Sequence, residues 1–300
     1  MWQSIKDFFY SLFGNNDQVF VEDAADLGEE KIISMEEPDE DEMKAREAAV
    51  KTRGMRTRGL QTTEIIDLDG DGHTGNQEIA TITNPRFLWL LDNGHGSLQA
   101  GKRSPKFPDG SQFLEWEFTR DIVKRMAPML DEAGVQYKIL VPEDEVDSFL
   151  AERVGRANNA SSPLGLKSIF VSIHANAVGM GTWMNGTTGL EVWHYPGSNT
   201  GKRIASVFQR ALINRLPGWK DRGIRSHQRG SRKVFYVLAN TAMPAVLTEN
   251  GFYTDENETA ALMTAETRNL IARAHVDAIL EIEQNGYESQ EIYRPNMVLA

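Results

Sequence analysis

Apolar positions recur along this chain with two periods, and the switching between them lays out its elements. Phe87–Asp92 (FLWLLD) is a short unbroken apolar run, which suits a strand buried on both faces. Glu115–Ala133 puts Phe118, Ile122, Met126, Met129 and Leu130 on one helical face, and Gly134 follows as a stop. Tyr137–Val141, Ile169–His174, Leu190–His194 and Ala245–Glu249 read as further strands, while Ile204–Leu216 and Glu258–Gln284 have helical period. Strands alternating with helices predict an α/β fold, a mainly parallel twisted sheet with helices on both faces.

The first 58 residues follow a different pattern. Trp2, Ile5, Phe8, Phe9 and Leu12 share one face of a short amphipathic helix. That face suits docking on the chain's own domain, with contact to a membrane or a partner protein through residues 1–13 as the alternative. Asp17–Glu42 holds 12 acidic residues and one Lys, without periodicity up to Glu37, and predicts an acidic, partly disordered leader. Pro38–Arg53 has acids at its start and bases at its end, the order a helix dipole prefers. The chain is therefore expected to divide into a leader (1–58), a junction (59–86), the α/β domain (87–284) and a C-terminal tail (285–300).

Charge and composition narrow the chemistry. The formal net charge of −11 gives no basic footprint for nucleic acid. Cysteine is absent, which excludes disulfides, thiolate ligands and a Cys nucleophile, so any metal must be held by His and carboxylates. No stretch approaches the roughly 20 apolar residues of a membrane span. Met1–Gly14 lacks the features of a secretory signal, so a cytoplasmic location is expected until the protein is released.

The junction contains Asp67–Glu78 (DLDGDGHTGNQE). Asp67, Asp69, Asp71 and Glu78 stand at the carboxylate positions of a calcium loop, Gly72 at its sharp turn, and His73 where the backbone oxygen would ligate. Calcium binding is expected there, against a plain acidic turn.

Two strand-like runs lead into His: Asp92-Asn93-Gly94-His95-Gly96 and Val171-Ser172-Ile173-His174-Ala175-Asn176. Strand ends border the ligand crevice of open α/β sheets. Two His delivered there without any Cys predict a zinc site, with Glu115 or Glu117 in the following helix as the third ligand. A third run, Pro244–Phe252 (PAVLTENGF), brings Glu249 to a strand end, where a carboxylate suits the base for a metal-activated water. Glu191 and His194, three apart on one strand, face opposite sides and cannot share a metal. His227 sits in a basic loop, and His275 reads as a structural residue on a helix. Lys220, Arg222, Arg225, Arg229, Arg232 and Lys233 read as a solvated basic loop, with contact to stem-peptide or envelope carboxylates as the alternative.

These runs resemble the zinc-dependent N-acetylmuramoyl-L-alanine amidase family, which includes bacterial cell-wall amidases and phage endolysins. Asp92–Gly96 is similar to its first His motif, Ser172–Asn176 to its second, and Pro244–Phe252 to its catalytic Glu motif. Arg153, Arg156, Ala157 and Asn158 precede the second His as in relatives, and Asp221–Ile224 falls at a similar turn. The resemblance covers roughly residues 87–283. It implies zinc ligands His95, Glu115 and His174, with Glu249 as base, and Glu115 rather than Glu117 fits the family helix. Asn93 departs from the family's usual Pro, and Ser97 from a common Gly. The implied activity is hydrolysis of the amide between N-acetylmuramic acid and L-alanine in peptidoglycan, in a phage-type lysin held in the host cytoplasm until release. The alternatives are a wall-binding structural or virion-associated protein with an amidase-like domain, and a zinc peptidase that cuts within the stem peptide.

Overall fold

A computed structural model describes residues 79–294, apart from 98, 100, 144–147, 180 and 228–233. The leader, the calcium-like loop Asp67–Glu78 and the end of the tail lie outside the described residues.

Among the described residues six strands form one sheet: β1 (Phe87–Asp92), β2 (Gln136–Ile139), β3 (Lys167–Asn176), β4 (Leu190–His194), β5 (Asp221–Arg225) and β6 (Ala245–Phe252). Their order is β2-β1-β3-β6-β4-β5. Pairs β2–β1, β1–β3, β3–β6 and β4–β5 are parallel, and β4 runs antiparallel to β6. The sheet is thus mainly parallel with one reversal. β1, β4 and β6 are buried along their whole length, as an apolar run covered on both faces requires.

Helices cover both faces. On one side α1 (Glu115–Ala133), α3 (Asn199–Arg215) and α6 (Ala265–Asn285) pack through Ile122, Met126, Phe208, Ile271 and Ile279 onto Trp89, Leu91, Val171, Ile173 and Val246. Trp89 is fully buried, and its indole N–H donates to Glu283 at 2.7 Å. On the other side α2 (Leu150–Asn158) and α4 (Tyr236–Asn240) cover Leu88, Leu90, Phe170 and Leu247. The remaining helix, α5 (Glu256–Leu262), follows β6 directly. Truncating a side chain such as Ile122 to Ala in a core of this density costs about 2–5 kcal/mol.

α1 begins and ends where its pattern predicts. Gly134 closes it at φ 74°, donating its N–H to Asp131 and Leu130 carbonyls. It runs through Pro128, which removes one backbone donor, because its buried stripe holds it to the sheet. Three expectations need correction. The helical stretch Glu258–Gln284 is two helices: the Thr264 hydroxyl accepts the Thr267 N–H and caps α6, so the chain restarts there. Asp221–Ile224 is part of edge strand β5 rather than a turn. α3 starts five residues before its first core residue, because Ser198 caps it by accepting the Gly201 N–H. No helix among the described residues is long and apolar enough to cross a membrane.

Candidate metal centre and active site

The site gathers toward the C-terminal ends of the parallel strands β1, β3 and β6. Beyond Asp92 the chain turns through Asn93 and Gly94. The Asn93 side chain donates to the Val141 carbonyl at 2.9 Å and accepts the Val141 N–H at 3.2 Å, which ties the turn to the segment after β2. A β-carbon on Gly94 would overlap the Arg153 guanidinium and lie 2.8 Å from His174 Cε1, so only glycine lets this loop sit against the second His. His95 follows in the left-handed region at φ 61°, a conformation that costs roughly 1 kcal/mol in a residue with a β-carbon. Glu115 is the first residue of α1, and its Oε1 accepts the Ala175 N–H at 3.0 Å.

These three side chains meet. His95 Nε2 lies 3.0 Å from His174 Nδ1 and 3.3 Å from Glu115 Oε2, and His174 Nδ1 lies 3.1 Å from Glu115 Oε1. All three residues are buried. Tetrahedral zinc with bonds of roughly 2.0–2.1 Å would hold its ligand atoms about 3.3–3.4 Å apart. The spacing observed is close to that. Glu117 is exposed on α1, two residues round the helix, and takes no part.

Hydrogen bonding on the far side of each ring fixes what the rings offer. The Ser172 hydroxyl donates to Asp92 Oδ2 at 2.6 Å, and Asp92 is held in turn by Arg153 at 3.2 Å. With its proton on Asp92, the Ser172 oxygen accepts from His174 Nε2 at 2.9 Å. That assigns the proton of a neutral His174 to Nε2 and turns the Nδ1 lone pair to the cluster. Gln99 Oε1, 2.6 Å from His95 Nδ1, does the same for His95. Glu115 Oε2 is buried and accepts no hydrogen bond. Burial pushes the Glu115 carboxyl up, but whenever the cluster-facing ring nitrogens carry protons in place of a cation, attraction to His95 and hydrogen bonding with both imidazoles outweigh it and hold the carboxyl well below its ordinary range. Two lone pairs and a carboxylate converging on one point fit a cation and suit no neutral ligand. The donor set of two imidazoles and one carboxylate suits zinc.

Glu249 is buried on β6, in register with His174 on one side and Glu191 on the other. Next to it, Asn250 Nδ2 donates to the His174 carbonyl at 2.8 Å and locks the β3–β6 edge. The sheet therefore sets His174 and Glu249 side by side on one face, a strand spacing of roughly 4.8 Å apart at the backbone.

The other residues singled out by pattern fall elsewhere. Glu191 points to the metal face, while His194 faces away, its Nδ1 3.0 Å from the Tyr195 carbonyl and its pKa lowered by burial. His227 is exposed. His275 is buried between the Ile271 carbonyl (2.7 Å) and the Thr248 hydroxyl (2.9 Å), and burial pushes its pKa down to about 4. The basic stretch is not simply a solvated loop. Arg222 and Arg225 lie on β5 and both pair with buried Glu191; residues 228–233 lie outside the described residues. Asp92, Ser172, Arg153 and Glu191 stand in or beside the patterns read from the sequence, but their supporting roles were not read from it. Ser172, two residues before His174 on the same face of a strand, left the clearest local signal for such a role.

Residues 90–281 match the family described as N-acetylmuramoyl-L-alanine amidase (Amidase_3). The chain belongs to this family. Among relatives, the endolysin of Bacillus phage SPP1 is 32% identical over 203 residues, 66% of either chain. N-acetylmuramoyl-L-alanine amidase LytC of Bacillus subtilis (strain 168) is 32% identical over 185 residues, which cover 62% of this chain and 33% of that one. The matches thus span just under two thirds of the endolysin and one third of LytC. Among solved structures, N-acetylmuramoyl-L-alanine amidase AmiC2 of Nostoc punctiforme aligns with TM-score 0.52 and 30% identity, over 67% of this chain and 99% of that one. The amidase of Clostridium difficile 630 aligns with TM-score 0.55 and 25% identity over the same shares.

Proposed function

We propose that this amidase-family domain hydrolyses the amide between N-acetylmuramic acid and L-alanine in peptidoglycan, with zinc at His95, Glu115 and His174 and with Glu249 as general base. The observation that carries the reading is the convergence of two imidazole lone pairs and an anionic carboxylate, beside a second carboxylate in register. Zinc bound there would lower the pKa of a water and polarise the scissile carbonyl. The chain's own part is to aim and to move protons. Ser172 and Gln99 hold the two rings in the ligating tautomer. Glu249 takes the proton of the attacking water on a carboxylate oxygen and passes it to the departing alanine nitrogen.

Similarity to a phage endolysin favours a lysin setting, with the enzyme kept in the host cytoplasm until release. Calcium at Asp67, Asp69, Asp71 and Glu78, with the backbone at His73, belongs to the same proposal; calorimetry with millimolar calcium tests it, and no heat of binding would sink it.

The decisive experiment is mass spectrometry of purified peptidoglycan digested with the protein, with and without a chelator. Release of peptides beginning with L-alanine, abolished by chelation and restored by zinc, is the expected result. Peptides cut internally would replace this reading with a stem-peptide peptidase, and no release at all would leave a wall-binding protein.

A further inference from the structure

The two arginines of β5 have no task in the reaction above, yet the sheet brings them to its face. Glu191 stands directly across from Glu249 in antiparallel register, and its neighbour on the other side is Gly223 of β5. Its carboxylate is buried and fully satisfied. Oε1 accepts from Asn176 Nδ2 at 2.8 Å and Trp193 Nε1 at 3.1 Å, and Oε2 from Arg222 Nε at 2.7 Å and Arg225 Nε at 2.8 Å. A register shift between Leu190 and Glu191 makes Arg222 the extra residue of a bulge, so that Arg222 and Arg225 reach the same oxygen. One arginine neutralises Glu191. The second positive charge is partly answered by the Glu258 carboxyl, which interacts with Arg222.

The two guanidinium groups differ in what remains of them. Arg222 is held from three sides, by Glu191, by the Thr188 carbonyl at 3.3 Å, and by the Phe252 ring 4.7 Å below it. Arg225 is anchored through Nε alone. Among the described residues its two Nη groups donate no hydrogen bond, and its side chain is 30% exposed. A guanidinium pinned at Nε with a vacant Nη pair is a preformed fork for a carboxylate.

We propose that Arg225, fixed by Glu191 and backed by the charge of Arg222, binds a carboxylate of the leaving peptide. This rests on the amidase reading. Glu249 is two strand spacings from Gly223, and Arg225 lies two residues further along β5, level with Leu247, so its backbone is roughly 12 Å from that of Glu249. An arginine side chain reaching back from β5 and one or two peptide residues of about 3.5 Å each close that gap. The carboxylate therefore belongs to the residue one or two positions beyond the scissile amide. If the arginines served only to neutralise Glu191, changing them would alter stability without distinguishing a carboxylate from a carboxamide.

The test uses the full chain and two product-like peptides: L-Ala-D-Glu with a free α-carboxylate and its γ-carboxyl blocked as a methylamide, and the same peptide as its α-carboxamide. Calorimetry with the wild type is expected to show the carboxylate peptide binding about 10-fold tighter or more, the low end for a charge-assisted pair because Arg225 is partly exposed. Arg225→Gln should remove that preference and leave carboxamide binding unchanged. Arg225→Lys, which keeps the charge and the fold but not the fork, should retain part of it. Equal binding of the two peptides by the wild type, no measurable binding of the carboxylate peptide at millimolar concentration, or equal losses for both peptides in Arg225→Gln would overturn the inference. The peptidoglycan digest is read separately, so release of L-alanine peptides without any carboxylate preference refutes this inference alone. No release in the digest would refute the amidase reading instead.

Discussion

Glu115 and Glu191 are both buried carboxylates facing the same site, and the protein treats them in opposite ways. Glu191 has four donors, two of them arginines, and needs nothing from outside. Glu115 has one backbone donor on Oε1, two imidazole nitrogens opposite, and an Oε2 that accepts no hydrogen bond. A buried charge answered by the protein is architecture; one aimed at other acceptors marks where a cation belongs. The contrast separates a framework, β4–β5 with its ion pairs, from a reactive corner at β1, β3 and the start of α1.

The largest effect that sharpens this comparison should come from Glu249, which lies between the two regions. Glu249→Gln is expected to retain zinc and fold and to lose activity by roughly 10²–10⁴-fold, measured as turnover of peptidoglycan fragments. Near-normal turnover in a folded, zinc-loaded variant would remove Glu249 from the mechanism.

The direct comparison is next in size. Glu191→Ala leaves two arginines facing each other and is expected to cost roughly 3 kcal/mol in denaturant unfolding, the low end for breaking a buried pair because the arginines keep some solvent. Glu115→Gln should behave in the opposite sense. Its metal-free stability stays within about 1 kcal/mol of wild type, but it loses the zinc-dependent gain, about 2.7 kcal/mol at a hundred-fold excess of zinc over Kd. If the two variants swapped behaviour, the distinction between framework and reactive corner would collapse.

Histidines extend the contrast. His275 is a framework residue held neutral by burial, with its pKa lowered to about 4 from an ordinary 6.5. The unfolded chain therefore binds a proton that the folded one refuses, and stability falls as pH drops from about 6.5 towards 4. By pH 5 the loss from this group amounts to about 2 kcal/mol. Unfolding curves at pH 7 and pH 5 measure it, and His275→Met should be less stable at pH 7 with a correspondingly flatter profile. An unchanged profile would mean that His275 is protonated within the fold.

The smallest effect is a control. Glu117→Ala, two residues after Glu115 in sequence but exposed, is expected to alter stability by less than about 0.5 kcal/mol and zinc content not at all.

The sequence announced the reactive corner better than the framework, for physical reasons. His95 and His174 stand near strand ends among small residues, and Glu115 opens a helix whose apolar stripe is unmistakable, so local pattern and family resemblance both point to them. The Glu191 cluster draws on residues 31 and 34 positions away, joined through a bulge, and no local period encodes that. Arg153 is fully buried against Asp92 although its composition reads as surface. α2 has Gly155 and Arg156 inside it and too few apolar residues to declare a helix. The split between α5 and α6 was missed because Thr264 interrupts the chain without breaking the apolar period.

The place of β6 in the sheet has a consequence for how the protein comes into being. Among the described residues it is the last of the six strands to be synthesised and the one that joins β1–β2–β3 to β4–β5. A chain still growing on the ribosome has two unconnected sheet fragments until about residue 252 has emerged, and their edges are open for most of translation. The same strand carries Glu249 and the Asn250 that locks β3 in place. Completion of the sheet and pairing of Glu249 with His174 are therefore one event, late in synthesis, and a shortened product that stops before β6 lacks the proposed base.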